Sequence, residues 1–91
     1  MSEIHTVAVL GAGTMGHGIA QVSATLGCEV RLYDVNHNAT SAGIDRIRRN
    51  LDKGIARGKL TEDIRDRTLE NLTTTTNIAE AVTHADLVVE A

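Results

Sequence analysis

The sequence predicts an α/β fold in which parallel strands form the sheet and helices flank it. Two observations carry this. Short apolar or alternating runs end in turn residues, and each is followed by a stretch of helical spacing, so strand and helix alternate along the chain. The first run, Thr6-Val7-Ala8-Val9-Leu10, is apolar from Val7 onward without a polar interruption, the pattern of a strand covered on both faces. Strands joined through helices pair in parallel, with right-handed crossovers. Ninety-one residues leave room for one domain.

Each element has its own signal. Gly11-Ala12-Gly13 breaks the first strand, and from Thr14 the pattern turns helical, with Ile19, Val22 and Leu26 on one face at steps of three and four. Gly27 stands where that helix should stop. Glu29-Val30-Arg31-Leu32-Tyr33 alternates as a second strand and ends at Asp34. Residues 38–56 make the longest helix, on a stripe of Ile44, Ile47, Leu51 and Ile55 loosened at its end by Gly54 and Gly58. Thr61 is placed to cap a third helix over 62–71, with Glu62 and Asp63 in its first turn, where acids suit the helix dipole. Residues 72–76, with four threonines, read as a short strand. Asn77 followed by Glu80 has capping-box spacing for a brief helix over 78–84, and a last strand begins near Leu87. That strand's run, Asp86-Leu87-Val88-Val89-Glu90-Ala91, is still apolar and β-branched where the sequence stops, so a longer parent chain is expected.

Composition narrows the function. Tyr33 is the sole aromatic residue and the formal net charge is −3. Without rings for base stacking or a cationic excess, nucleic-acid binding is disfavoured. A single cysteine, Cys28, rules out an intrachain disulfide and suits a reducing compartment. The amino terminus, Met1-Ser2-Glu3-Ile4-His5, lacks the basic start and apolar stretch of a signal peptide. No run reaches the roughly 20 apolar residues of a membrane span, so a cytoplasmic protein is expected.

The chemistry is carried by Gly11-Ala12-Gly13-Thr14-Met15-Gly16, a G-x-G-x-x-G pattern. Alone the pattern is common. Here it leaves a strand and opens a helix, which is the context a dinucleotide-binding fingerprint requires. Gly11 permits the tight turn, Gly13 lets main chain approach a pyrophosphate, and Gly16 lets the helix lie on the sheet, with Gly18 assisting that packing. Free N–H groups and the positive helix end then face the phosphates. Asp34, eighteen positions past Gly16 at the tip of the second strand, can accept from both hydroxyls of an adenosine ribose. A 2′-phosphate beside it would meet a like charge costing about 4 kcal/mol at ~4 Å and a surface-like dielectric. Val35, Asn36 and His37 offer no arginine to offset that repulsion, so NAD is favoured over NADP. The fold is therefore expected to be a Rossmann-type parallel sheet with flanking helices, incomplete, covering its first β-α-β-α-α-β-α-β portion. No Walker pattern is present.

Val7-Ala8-Val9-Leu10-Gly11-Ala12-Gly13-Thr14-Met15-Gly16-His17-Gly18-Ile19-Ala20-Gln21 resembles the opening of the 3-hydroxyacyl-CoA dehydrogenases, including the bacterial 3-hydroxybutyryl-CoA dehydrogenases. So do Val30 to Asp34, Asn50-Leu51-Asp52-Lys53-Gly54 with Arg57-Gly58-Lys59-Leu60, and Asp86 to Ala91. The resemblance runs over nearly the whole chain, and its middle portion is the most specific. It implies a dimeric two-domain parent that oxidises the 3-hydroxyl of an acyl-CoA to a ketone with NAD. It also implies that residues 1–91 are the amino-terminal part of the NAD-binding domain. The histidine–glutamate catalytic pair and the helical domain of that family would lie downstream, leaving no catalytic residue in this chain. Carried over position by position, Gly11, Ala12, Gly13, Thr14, Met15, Gly16 and Asp34 match the family's NAD contacts, and Glu90-Ala91 match the strand end beside the cofactor. Asn50 and Arg57 match positions that touch CoA.

The residues add a basic stripe to this picture. Arg46, Arg49, Lys53 and Arg57 recur at steps of three and four opposite the isoleucines. Read from spacing alone this is first a solvated charged face, with Asp45 and Asp52 nearby; the resemblance singles out Arg57 as a donor for CoA phosphates. The histidines His5, His17, His37 and His84 have no metal-ligand spacing and no nucleophile partner, and Cys28 reads as a small packed hydrophobe. Two further readings stay open at this stage: a nucleotide-binding module without turnover, and a different NAD-dependent hydroxyacid dehydrogenase.

Overall fold

The computed structural model describes residues 3–91; Met1 and Ser2, part of the segment read for a signal peptide, lie outside the described residues. Eight elements follow in order: β1 Thr6–Leu10, α1 Thr14–Thr25, β2 Glu29–Tyr33, α2 His37–Ala56, α3 Glu62–Glu70, β3 Leu72–Thr75, α4 Ile78–Val82 and β4 Leu87–Glu90. The strands form one sheet in the order β3-β2-β1-β4, with every pairing parallel. The expected α/β, Rossmann-type arrangement is what the chain builds.

The sheet sorts its neighbours by strand alternation. Val7 and Val9 of β1 pair in register with Val30 and Leu32 of β2, and all four share one face with Ala20, Ala24, Ile47 and Leu51 from α1 and α2. Ala8 and Arg31, also register partners, point the opposite way, where α4 packs with Ala81 fully buried. Helices α1, α2 and α3 therefore cover one face and α4 the other. The core is aliphatic throughout, with Leu32, Ile47, Leu51, Val9 and Val30 its largest buried hydrophobic side chains. Two threonines join them without loss, because Thr40 Oγ1 donates to the His37 carbonyl (2.9 Å) and Thr68 Oγ1 to that of Ile64 (2.7 Å). Among the described residues no buried side-chain polar atom lacks a partner.

Most element bounds agree with the sequence reading, and the differences have local causes. Helix α3 ends at Glu70 because Asn71 is its C-cap, with Asn71 Nδ2 donating to the Ala24 carbonyl at 3.1 Å. At the end of α1 the C-cap is Leu26, and Gly27 follows it at φ +98°. There Cys28 N–H donates to the Ser23 carbonyl and Gly27 N–H to that of Ala24, both at 3.1 Å, a Schellman closure. Helix α4 stops at Val82, short of the expected 84: Thr83 is extended, His84 takes φ +58°, and Arg31 Nη1 donates to the carbonyls of Glu80, Ala81 and Thr83. An arginine from β2 thus satisfies the carbonyl end of α4. The Asn77 cap is present, its Oδ1 accepting from Glu80 N–H at 3.2 Å. The return half of the box is rerouted, since Asn77 N–H donates to Thr75 Oγ1 (3.0 Å), which in turn donates to Glu80 (3.1 Å).

One packing expectation fails. Of the three residues that helical spacing put on one apolar face, Ile19 packs against the core, but Val22 and Leu26 are 60% and 78% exposed. The buried face of α1 is Gly16, His17, Ala20 and Ala24. Small residues win because the helix lies close against β1 and β2, where a glycine and two alanines leave room for the backbone. In α2 the predicted stripe holds, with Ile47 and Leu51 buried and Ile44 and Ile55 half-buried.

Candidate cofactor site

Leu10 pairs in register with Tyr33 on one side and Glu90 on the other, so the carboxyl ends of β1, β2 and β4 meet at one edge. Chain order reverses between β1 and β4. Such a switch point, outside the carboxyl ends of parallel strands, is where open α/β sheets receive ligands.

The turn that leaves β1 there is built to tolerances only glycine meets. Gly11 has φ +112°, and its N–H donates to the Tyr33 carbonyl at 2.7 Å. A Cβ on Gly16 would sit 1.7 Å from the Gly11 carbonyl oxygen, so any side chain there would drive α1 off the turn. A Cβ on Gly13, by contrast, would meet nothing within 4 Å and would stand in open space before the helix. Gly13 is the N-cap of α1 and supplies no side-chain acceptor. The other three helices are each capped, by Asn36 to Asn38 N–H (2.8 Å), Thr61 to Ile64 N–H (3.2 Å) and Asn77 to Glu80 N–H. Among the described residues, only α1 presents its first turn without such a cap, and Thr14 and Met15 of that turn are exposed.

Asp34 faces the same turn. Its Oδ2 accepts from Ala12 N–H and its Oδ1 from Asn36 N–H, each at 3.1 Å. The Ala12 bond, then the Asn36 bond, hold this carboxyl below the ordinary carboxylate pKa, against a smaller opposing effect of burial. It is an anion at neutral pH, tied to the glycine turn and still half-exposed. A cleft of about 340 Å³ opens beside it, lined by Gly11, Tyr33, Asp34, Val35, Ile78 and Ala91 among others. A second cleft of about 350 Å³ lies between α1 and α3, so size does not choose between them. Chemistry does: only the first has a glycine turn and a carboxylate at its wall.

The residues singled out in the sequence therefore divide. Gly11 to Gly16 and Asp34 come together at one strand edge. Asn50 and Arg57 lie on the exposed side of α2 and do not line that cleft. Asn50 Nδ2 donates to Gln21 Oε1 of α1 at 3.2 Å, and Arg57 is the exposed C-cap of α2. Three features were not read from the sequence. Val35 and Ile78 give the cleft apolar walls, 80% and 51% exposed, and an apolar residue directly after the strand-end acid is a signal that pointed there. Arg46, read only as one of a stripe, reaches Thr14 Oγ1 at 3.5 Å and so stands at the first turn of α1.

The remaining candidates are structural. His5, His37 and His84 are exposed, His17 is buried, and Cys28 is half-buried against the core with Sγ 3.8 Å from the Ile4 carbonyl oxygen. Among the described residues no three His, Cys, Asp or Glu side chains are grouped to hold a metal ion, and no helix is long and apolar enough to cross a membrane.

A parallel sheet with a glycine turn and an uncapped helix at its switch point defines a nucleotide-binding unit of the Rossmann type. Residues 6–91 match the family model described as 3-hydroxyacyl-CoA dehydrogenase, NAD binding domain, and the chain belongs to that family. It is 47% identical over 91 residues to the 3-hydroxyadipyl-CoA dehydrogenase of Escherichia coli K12, covering 100% of this chain and 19% of that protein. The crystal structure of FadB2 from M. tuberculosis superposes with a TM-score of 0.94 at 42% identity, over 99% of this chain and 31% of its own. That of (S)-3-hydroxybutyryl-CoA dehydrogenase PaaH1 from Ralstonia eutropha gives a TM-score of 0.93 at 36% identity, over 98% and 31%. The chain spans about a fifth to a third of the length of these relatives.

Proposed function

We propose that residues 1–91 are the amino-terminal part of the NAD-binding domain of an enzyme that oxidises an (S)-3-hydroxyacyl-CoA, of short chain such as 3-hydroxybutyryl-CoA, to the 3-oxoacyl-CoA. NAD, when bound, supplies the hydride acceptor. This chain's residues do the holding: the N–H groups of Gly13 to Gly16, which have no acceptor among the described residues, face the diphosphate, and Asp34 takes the adenosine ribose. The observation that carries the reading is the uncapped first turn of α1 facing open space at Gly13, with an ionised Asp34 hydrogen-bonded into the same turn. An anion fits that turn because its N–H groups lack acceptors, and the glycine leaves the room a Cβ would fill. Beside Asp34 the exposed Val35, Asn36 and His37 provide no arginine or lysine for a 2′-phosphate, which supports NAD over NADP.

Asn50 and Arg57 belong, in this reading, to the acyl-CoA side. Arg57 is exposed and makes no ion pair among the described residues, so its guanidinium is available to a phosphate. It stands eleven positions past Arg46, about 16 Å of helical rise, so the two ends of the basic stripe serve different ligands. The catalytic residues, the dimer contacts and the cytoplasmic location expected of the whole enzyme belong to the same proposal. No observation here favours a module without turnover over this reading.

The test is a calorimetric titration of the intact protein with NAD and NADP, repeated on Asp34→Ala. NAD is expected to bind at least tenfold tighter than NADP, and Asp34→Ala to weaken NAD by tenfold or more, the scale of one charge-assisted hydrogen bond. Equal affinity for both cofactors in the unmodified protein overturns the assignment of Asp34.

A further inference from the structure

His17 is the one buried histidine among the described residues, 8% exposed, and the cofactor reading gives it no role. It sits in the first turn and a half of α1, four residues after Gly13. The Gly13 carbonyl accepts twice from it: from the His17 backbone N–H at 2.9 Å and from the ring Nδ1, also at 2.9 Å. A carbonyl oxygen has no proton to give, so Nδ1 carries the hydrogen and the ring is the donor.

We propose that His17 is a positioning residue for the cofactor diphosphate, acting by clamping the peptide unit between Gly13 and Thr14. The proposal rests on the reading of the glycine turn given above. A peptide unit is planar and trans, so its C=O and N–H point in opposite directions. Holding the Gly13 oxygen into the helix therefore aims the Thr14 N–H out of it, into the space before the first turn. The clamp has a reason to exist. Gly13 must lack a Cβ for the approach of a ligand, and a Cβ there would indeed occupy open space. A residue without a Cβ is also the one whose backbone is least restrained. The ring of His17, fixed by burial on the inner face of α1, returns the rigidity that the glycine gives up. A donor pre-aimed before the anion arrives loses less entropy on binding.

The test compares three variants in the intact protein. His17→Leu keeps bulk and removes the donor; NAD and ADP-ribose, which share the diphosphate, are expected to bind roughly fivefold to tenfold more weakly, the scale of one hydrogen bond. His17→Asn places an amide N–H where Nδ1 stood and is expected to restore binding to within about twofold of the unmodified protein. Adenosine, which has no phosphate, is expected to bind all forms alike; a merely structural defect would weaken it in parallel. Unchanged NAD affinity in His17→Leu, or an equal loss for adenosine, overturns the proposal. Gly13→Ala separates this failure from that of the cofactor reading. If Gly13→Ala abolishes NAD binding while His17→Leu does not, only the clamp is wrong; if Gly13→Ala binds NAD normally, the cradle itself is wrong. Should His17→Leu fail to fold, ¹⁵N spectra of the unmodified imidazole decide the matter, because the clamp requires the proton on Nδ1 and an Nε2–H tautomer excludes it.

Discussion

Two glycines three positions apart in the chain, Gly13 and Gly16, are expected to fail in opposite ways when each becomes alanine. In Gly16→Ala the new methyl would lie 1.7 Å from the Gly11 carbonyl oxygen, where contacts under 3.0 Å are essentially never found. The start of α1 must then move by more than an ångström relative to β1. That motion is resisted by the buried Ala20 and Ala24 behind it and by the Gly11 N–H bond to Tyr33. Overpacking a closed contact costs about 1–3 kcal/mol and sometimes more, and a backbone obstacle belongs at the upper end. For a domain of this size 3 kcal/mol corresponds to a fall in Tm of roughly 12–24 °C. It also removes a large share of a total stability of about 5–14 kcal/mol. In Gly13→Ala the methyl meets nothing, and the N-cap backbone at φ −70° is open to any residue. Its stability loss is expected to stay near 1 kcal/mol, the scale of a weaker N-cap, while NAD affinity collapses. Thermal melts by circular dichroism and NAD titrations read both variants. A Gly16→Ala protein melting within a few degrees of the unmodified one would refute the packing argument. A Gly13→Ala protein binding NAD unimpaired would refute the cradle.

Further outcomes follow from other contacts. Asp34 and Asp86 are held below their ordinary value of 3.8 by backbone donors, Ala12 with Asn36 and His5 with Thr6 respectively. Since their folded values are depressed, their contribution is complete above the unfolded value and is lost as pH falls through the lowered folded one. An acid titration followed by circular dichroism should therefore show Asp86→Asn losing the steepness of unfolding below about pH 4, and an unchanged profile would count against it. Arg31→Met removes the donor from three carbonyls at the end of α4 and is expected to cost about 1–2 kcal/mol. Hydrogen exchange in α4 should accelerate selectively; uniform protection would show that the arginine is not its cap. Arg57→Ala in the complete enzyme should raise KM for acyl-CoA by roughly fivefold or more while leaving NAD affinity unchanged, and an unaltered KM disposes of its CoA role.

Much of this molecule could be read along the chain because its signals are local. The glycine turn, the threonine and asparagine caps, the glycine after α1 and the strand-end acid each depend on neighbours within a few residues. The position of Asp34 was legible for the same reason, as an acid at a fixed distance past a glycine turn. Its tie to that turn was not: the bond to Ala12 N–H joins residues 22 positions apart and exists only when β1 and β2 lie side by side.

The inner face of α1 shows most clearly where sequence stops. Periodicity says that Ile19, Val22 and Leu26 share a side of the helix, but not how closely another backbone approaches that side. Packing against β1 and β2 chose Gly16, His17, Ala20 and Ala24 instead, leaving Val22 and Leu26 exposed. The strand order β3-β2-β1-β4, the Arg31 cap on α4 and the reach of Arg46 to Thr14 are decisions of the same kind. The sequence by itself determined the elements, their family and the type of ligand their turn admits, because those rest on short-range backbone geometry and side-chain chemistry. Tertiary structure alone decided which faces close together and which distant side chains finish the turns, because those rest on distances between segments that local propensity does not contain.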